Sequence, residues 1–143
     1  MGHNFTMDSE IKQHIFLLSG YTPRATALLE RVEKACGNHA VVVLIEDVGH
    51  ILEKRVRDTQ SVVILDLPNI KKSAIQTIQS VIKQSADIKI LAIHIYTTKL
   101  LVEPLIQAGI HGYLMYEPSI KEVREAIASV SHDELYLPPQ IYR

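Results

Sequence analysis

Asp66 is the residue whose position is most typical of a reactive group. It follows four apolar residues in VVILDLPNI, residues 62–70, and Pro68 then interrupts the segment. Three other apolar stretches also end in polar or small residues: these are Ser19 with Gly20, His94, and Tyr116 with Glu117. If the stretches are parallel strands, these residues lie at one edge of a sheet, where such folds place ligands. A carboxylate there is either a reactive group or only the polar end of a strand.

Five short apolar runs predict the strands that would position these residues. Four of the five are nearly continuous, which is typical of strands covered on both faces. The runs are IFLL (15–18), VVVLI (41–45), VVIL (62–65), IKILAIHI (88–95) and GYLMY (112–116).

The segments between the runs have helical spacing. PRATALLERVEKAC, residues 23–36, begins with Pro23 and stops before Gly37, as a helix does. Further helices are predicted over 48–56, 70–84, 98–109 and 119–131. Strict alternation of strand and helix predicts an α/β fold, a doubly wound parallel sheet with helices on both faces.

Size and composition indicate one domain. The chain has 143 residues and a net charge of -1, so no strong field attracts nucleic acid. No apolar run approaches the roughly 20 residues that cross a bilayer, and the lone Cys36 fits a reducing, cytoplasmic location. We predict a polar leader over residues 1–13, one domain over 14–133 and a C-terminal tail over 134–143.

Three segments resemble the receiver (CheY-like) domain of bacterial two-component response regulators, in the subclass that precedes a LuxR-type or NarL-type helix-turn-helix. VVILDL resembles the strand that bears the phospho-accepting aspartate, and AGIHGYLMYEPSIKEVREAI the segment through strand five and helix five. DELYLPP resembles the exit from that helix. The resemblance covers nearly the whole chain. It implies a five-stranded, flavodoxin-like sheet of order 2-1-3-4-5, with Asp66 at the phosphorylation position and Tyr113 at the switch-aromatic position.

Four positions of the implied pocket depart from the family. Ser19 and Gly20 stand where two acidic residues would bind Mg²⁺, His94 replaces a serine or threonine, and Tyr116 replaces a lysine. The loop DLPNIKKSA also departs from the family's Asp-Leu-x-Met-Pro and reaches no glycine. Of the reactive set, only Asp66 is retained.

These departures predict that the pocket has lost its metal. At an effective dielectric near 20, a divalent cation and a carboxylate about 4 Å apart attract by roughly 8 kcal/mol, and two such partners are missing. Phosphoryl transfer depends on cations that neutralise the transferring oxygens. The expectation is therefore no cofactor and a degenerate receiver, acting as a phosphorylation-independent interaction module in signalling or transcription regulation. The alternative is a working phospho-accepting receiver that uses Asp66.

An enzyme is the weakest interpretation. Ser19, Asp66 and His94 stand in the chain order of an α/β-hydrolase triad. In a 2-1-3-4-5 sheet, however, Asp66 lies between the other two, whereas a triad needs the imidazole in the middle. The seven histidines show no close metal-ligand spacing, and no glycine-rich phosphate loop follows strand one.

A partner surface is predicted on the face formed by the fourth predicted helix, the fifth strand and the fifth helix. Pro104 predicts that the fourth helix starts near Val102 or kinks there, which would leave Leu100, Leu101 and Val102 to contact a protein partner or a second copy of the chain. The tail adds a second set of candidate contacts: Tyr136, Leu137, Ile141 and Tyr142. No contact with a membrane or with nucleic acid is expected.

Overall fold

The computed structural model describes residues 13–20, 22–51 and 60–142. It contains five parallel strands in the order β2-β1-β3-β4-β5, so the predicted sheet and its order are confirmed. The strands are β1 (Gln13–Leu18), β2 (Ala40–Ile45), β3 (Gln60–Asp66), β4 (Lys89–His94) and β5 (Gly112–Met115).

Four helices are described in full: α1 (Pro23–Cys36), α2 (Ala74–Gln84), α3 (Lys99–Ala108) and α4 (Ile120–Ser131). They correspond to the first, third, fourth and fifth predicted helices. Most of the second, predicted over 48–56, lies outside the described residues, as does the leader except for Gln13. None of the described helices has the length and apolar character that crossing a membrane requires.

Side-chain alternation along β3 explains why its sequence is continuously apolar. Val62 and Ile64 pack in one buried cluster with residues of α1 and α4. Val63 and Leu65 pack in a second cluster on the opposite face, with residues of α2 and α3. Since successive strand residues face opposite sides and both sides are covered, every position of the run must be apolar.

The start of α2 differs from its prediction. The helical spacing predicted a helix from residue 70, but α2 begins at Ala74 because Ser73 caps it: the Ser73 hydroxyl accepts a hydrogen bond from the Gln76 N–H at 3.1 Å.

The predicted start of the fourth helix near Val102 is wrong. Helix α3 begins at Lys99 and continues through Pro104, its sixth residue, to Ala108, although Pro104 has no N–H to donate within the helix. Val102 consequently points into the core, with 0% of its surface exposed, and cannot belong to a partner surface. Leu100 and Leu101 remain 83% and 50% exposed.

The tail is also more buried than predicted. Leu137 and Ile141 lie in the cluster shared with α2 and α3, so they are core residues and not exposed contacts. Tyr136 pairs with the start of β5: its carbonyl accepts from the Tyr113 N–H at 2.9 Å, and its own N–H donates to the His111 carbonyl at 3.1 Å.

Two glycines fix the connection between α3 and β5. Gly109 ends α3 with φ of 123°, a conformation that disfavours side chains. Gly112 begins β5 where a Cβ would lie 2.8 Å from Leu91 Cδ1 and 2.9 Å from Val130 Cγ1. Gly109 thus allows α3 to end, and Gly112, three residues later, allows β5 to pack closely between β4 and α4.

Replacing Gly112 with alanine should therefore destabilise the fold by about 1–3 kcal/mol, because the added methyl overpacks the space between β4 and α4. Urea denaturation followed by circular dichroism measures the loss. The matched control is Gly49→Ala, where the nearest atom to an added Cβ lies at an ordinary 3.5 Å. Equal stability of the Gly112→Ala and wild-type proteins would contradict the packing described.

Candidate functional site

Asp66 lies at the carboxyl end of β3 and is almost completely buried, with 1% of its surface exposed. Strands β1 and β3 are neighbours, with Leu18 opposite Leu65, so the next residue of each strand meets its counterpart. The Ser19 hydroxyl donates a hydrogen bond to Asp66 Oδ2 at 2.7 Å. The other carboxylate oxygen, Oδ1, is buried and has no hydrogen-bond partner among the described residues.

Ser19 is held by its own neighbours. Its N–H donates to the Ile45 carbonyl at 3.1 Å, which ties it to the end of β2. The Asn69 side-chain amide nitrogen donates hydrogen bonds to Ser19 Oγ at 3.3 Å and to Thr22 Oγ1 at 3.0 Å. Since Thr22 also caps α1, this set of bonds joins the loop after β1 to the loop after β3 and to the end of β2 around the buried carboxylate.

Gly20 adds a steric constraint to the same loop. A Cβ there would lie 3.3 Å from the Asn69 carbonyl oxygen, closer than most side chains tolerate. The loop after β3 therefore packs closely against Gly20. Neither Asn69 nor Thr22 was predicted to belong to the site. The sequence does indicate that Thr22 caps a helix, since it directly precedes Pro23 at a predicted helix start.

His94 ends β4 and is half-buried. Its Nδ1 is buried without a hydrogen-bond partner among the described residues, and its ring centroid lies 4.3 Å from that of Tyr96. Burial lowers the pKa of His94, and the Asp66 charge opposes that shift only in part. Because an unperturbed histidine has a pKa of about 6.5, His94 is neutral at pH 7.

Tyr116 directly follows β5, at the position that the sequence resemblance assigns to a lysine. The Arg24 guanidinium, from the first turn of α1, lies 4.5 Å from the centroid of its ring, an arrangement that attracts a cation to the ring face. The neighbouring Glu117 pairs with Arg31 at 3.7 Å. Arg24 was not predicted to contribute here.

Tyr113 is fully buried, with its side chain turned into the protein. Its hydroxyl donates to the Tyr96 carbonyl at 2.7 Å, and burial raises its pKa well above the ordinary range. Tyr113, which the sequence resemblance assigns to the switch-aromatic position, therefore has its hydroxyl hydrogen-bonded inside the protein.

The two positions that follow β1 beside Asp66 supply one hydroxyl and no carboxylate. Mg²⁺ prefers carboxylate, carbonyl and water oxygens in octahedral arrangement, whereas Ser19 directs its proton at the carboxylate and Gly20 offers no side chain. No group of three or more histidine, cysteine or acidic residues positioned to hold a metal occurs in the described part of the chain. The direct bond between Ser19 and Asp66, with no imidazole between them, likewise does not fit a hydrolase triad.

Comparison with solved structures identifies the fold. A LuxR-family two-component response regulator from Aurantimonas sp. matches with a TM-score of 0.74 and 18% identity, covering 90% of this chain and 91% of that one. The isolated receiver domain of RcsB from Salmonella enterica serovar Typhimurium matches with 0.71 and 17%, covering 91% and 96%. A protein assigned to pilus assembly (cpaE), from Burkholderia thailandensis, matches with 0.67 and 11%, covering 83% and 98%.

The chain therefore has the receiver fold, and the resemblance found in the sequence is confirmed at that level. No protein-family model and no curated protein matches the sequence. Structural matches at identities of 18% or lower show the fold alone. The function has to be argued from the site.

Ser19 and Asp66 should respond to substitution with opposite signs. Ser19→Ala removes the donor to a buried carboxylate and should destabilise the protein by about 1–3 kcal/mol. Asp66→Asn keeps an acceptor for Ser19 and removes a buried charge, so it should stabilise by about 1 kcal/mol. Chemical denaturation at pH 7.5 measures both changes.

The control is Ser80→Ala, which removes a hydroxyl bonded to the Gln76 carbonyl within α2 and should change stability by less than about 0.5 kcal/mol. A destabilised Asp66→Asn variant would show that the carboxylate charge itself stabilises the native state.

Proposed function

We propose that this chain is a degenerate receiver domain, a non-catalytic module that binds a protein partner independently of phosphorylation, in bacterial signal transduction or transcription regulation. The observation that carries the proposal is the hydrogen bond from Ser19 to the buried carboxylate of Asp66. In a working receiver that carboxylate faces Mg²⁺ and the incoming phosphoryl group. Here the protein's own hydroxyl holds one of its oxygens.

The electrostatics of the pocket support the same proposal. Phosphoryl transfer needs positive charge beside the transferring oxygens. His94 is neutral at pH 7, because burial lowers its pKa, and Tyr116 carries no cation where the family has lysine. Arg24 lies over the Tyr116 ring, and the metal-binding acids are absent from the sequence positions that would supply them.

The second candidate is a phospho-accepting receiver. One observation favours it: Asp66 Oδ1 has no hydrogen-bond partner among the described residues and is a possible nucleophile. The two candidates differ in whether Mg²⁺ binds and whether Asp66 becomes phosphorylated.

Incubation with acetyl phosphate and Mg²⁺ should leave the intact mass of the protein unchanged. Millimolar Mg²⁺ alone should also leave the melting temperature unchanged, since a ligand stabilises only by binding the folded state. Mass spectrometry and differential scanning fluorimetry measure the two effects. A mass gain of one phosphoryl group that disappears in Asp66→Asn would establish the second candidate.

The proposed partner surface consists of Ile95, Leu100 and Leu101. These residues are 61%, 83% and 50% exposed and lie where β4 leads into α3. Apolar side chains grouped in this way are typical of protein contacts. The Tyr113 hydroxyl donates to the backbone carbonyl of Tyr96, next to Ile95, and so connects this surface to the core. A cytoplasmic location and the lack of direct nucleic-acid binding remain part of the proposal.

We expect a dimer through this surface, since an isologous two-fold contact covers an apolar patch without forming filaments. Leu101→Glu should convert the dimer to a monomer, because it places an unpaired charge in the contact. Sedimentation velocity at micromolar concentration measures the change, and circular dichroism checks that the fold is retained.

The matched control is Leu135→Glu, because Leu135 has a similar exposure of 49% and lies outside the proposed surface; this variant should remain dimeric. A wild-type chain that sediments as a monomer would refute the dimer and leave a different protein as the partner.

A further inference from the structure

His111 connects β4 to the C-terminal tail through three hydrogen bonds. Its side-chain Nδ1 accepts from the Ile90 N–H at 2.9 Å, and its own N–H donates to the Ile90 carbonyl at 2.8 Å. Its carbonyl accepts from the Tyr136 N–H at 3.1 Å. The bond from Ile90 to Nδ1 requires that this nitrogen carry no proton, so it exists only with a neutral imidazole.

Charged groups of two elements face this imidazole. Lys89 of β4 and Asp133, after α4, form a salt bridge with each other at 2.5 Å, and His132 lies beside Asp133. Burial lowers the pKa of His111, Lys89 lowers it further, and Asp133 acts in the opposite direction. The surroundings of His111 therefore disfavour the imidazolium that would break the bond to Ile90.

The tail segment that His111 holds, residues 134–142, is here called the C-terminal strap. It pairs with β5 through Tyr136 and Gly112, and it buries Leu137 and Ile141 in the core. The Tyr136 carbonyl also accepts from the Tyr113 N–H. Tyr113 in turn bonds the backbone of Tyr96, next to the proposed partner surface.

We propose that His111 is a proton-operated latch for the C-terminal strap. Protonation removes the acceptor for the Ile90 N–H and places a second positive charge beside Lys89, which weakens the segment to which Tyr136 is bonded. The strap then separates from β5, uncovers the apolar sites of Leu137 and Ile141, and frees the backbone of Tyr113. This regulation is independent of whether Asp66 accepts a phosphoryl group.

The direction of the pH dependence follows from the lowered pKa. While the Ile90 N–H occupies Nδ1 His111 resists protonation, and once that bond is broken the imidazole titrates closer to its ordinary value, about 6.5. Docking is therefore strongest above that value and weakens as the pH falls below it. Asp133, whose pKa the Lys89 ammonium lowers, stays charged throughout this range.

Nuclear magnetic resonance on the ¹⁵N-labelled full chain tests the latch. At pH 7.5 the His111 side chain should show a protonated Nε2 and an unprotonated Nδ1. Between pH 7.5 and 5.5, amide exchange at Ile90, Tyr113 and Tyr136, corrected for the intrinsic pH dependence of exchange, should accelerate. At pH values below the pKa of His111 in both the docked and the released state, amide exchange should be faster by about tenfold for each pH unit by which docking lowers that pKa.

Two variants separate the latch from a general structural role. His111→Asn supplies an amide oxygen that can accept from Ile90 but cannot titrate, so the strap should stay docked with no extra exchange at low pH. His132→Asn removes the neighbouring histidine and should leave the wild-type pH dependence in place. A wild-type protein without the acceleration, or an His111→Asn variant that retains it, would overturn the proposal.

Discussion

The parallel pairing of β3 with β1 on one side and β4 on the other is the constraint on which the site depends. It places Leu18 opposite Leu65 and Asp66 opposite Ile93, so the carboxyl ends of three strands meet at one level. A carboxylate at the end of the middle strand is then surrounded by the loops of its neighbours and loses contact with water. Burial of a charge is unfavourable unless a donor accompanies it, and Ser19 is that donor.

Most of the architecture could be predicted because its determinants are local. The bounds of α1 follow from Pro23 and Gly37, and the five strands follow from runs that must be apolar on both faces. The bounds of α2 were less accurate because a single serine cap, Ser73, outweighs the helical spacing before it. The effect of Pro104 on the helix start was overestimated, since α3 begins at Lys99 and continues through Pro104 to Ala108 with one backbone donor missing.

The site was predictable only in part. Strand order brings Ser19 and Asp66 together, and the sequence alone anticipates that. The contributions of Asn69, Thr22 and Arg24 depend on how three loops pack and on where long side chains point. The burial of Leu137 and Ile141 likewise depends on pairing between the tail and β5, a contact distant in sequence that no periodicity in the tail indicates.

The pairing of Tyr136 with the start of β5 also determines where this domain can be cut. Strand β5 is an outer strand of the sheet, and outer strands with open backbone groups tend to pair with other chains. A fragment that ended with α4 would keep all five strands. It would, however, expose the Tyr113 N–H, the His111 carbonyl and the apolar side chains that Leu137 and Ile141 cover. Its tendency to aggregate would then reflect the truncation, so a fragment for structural or binding work should retain the residues through Ile141.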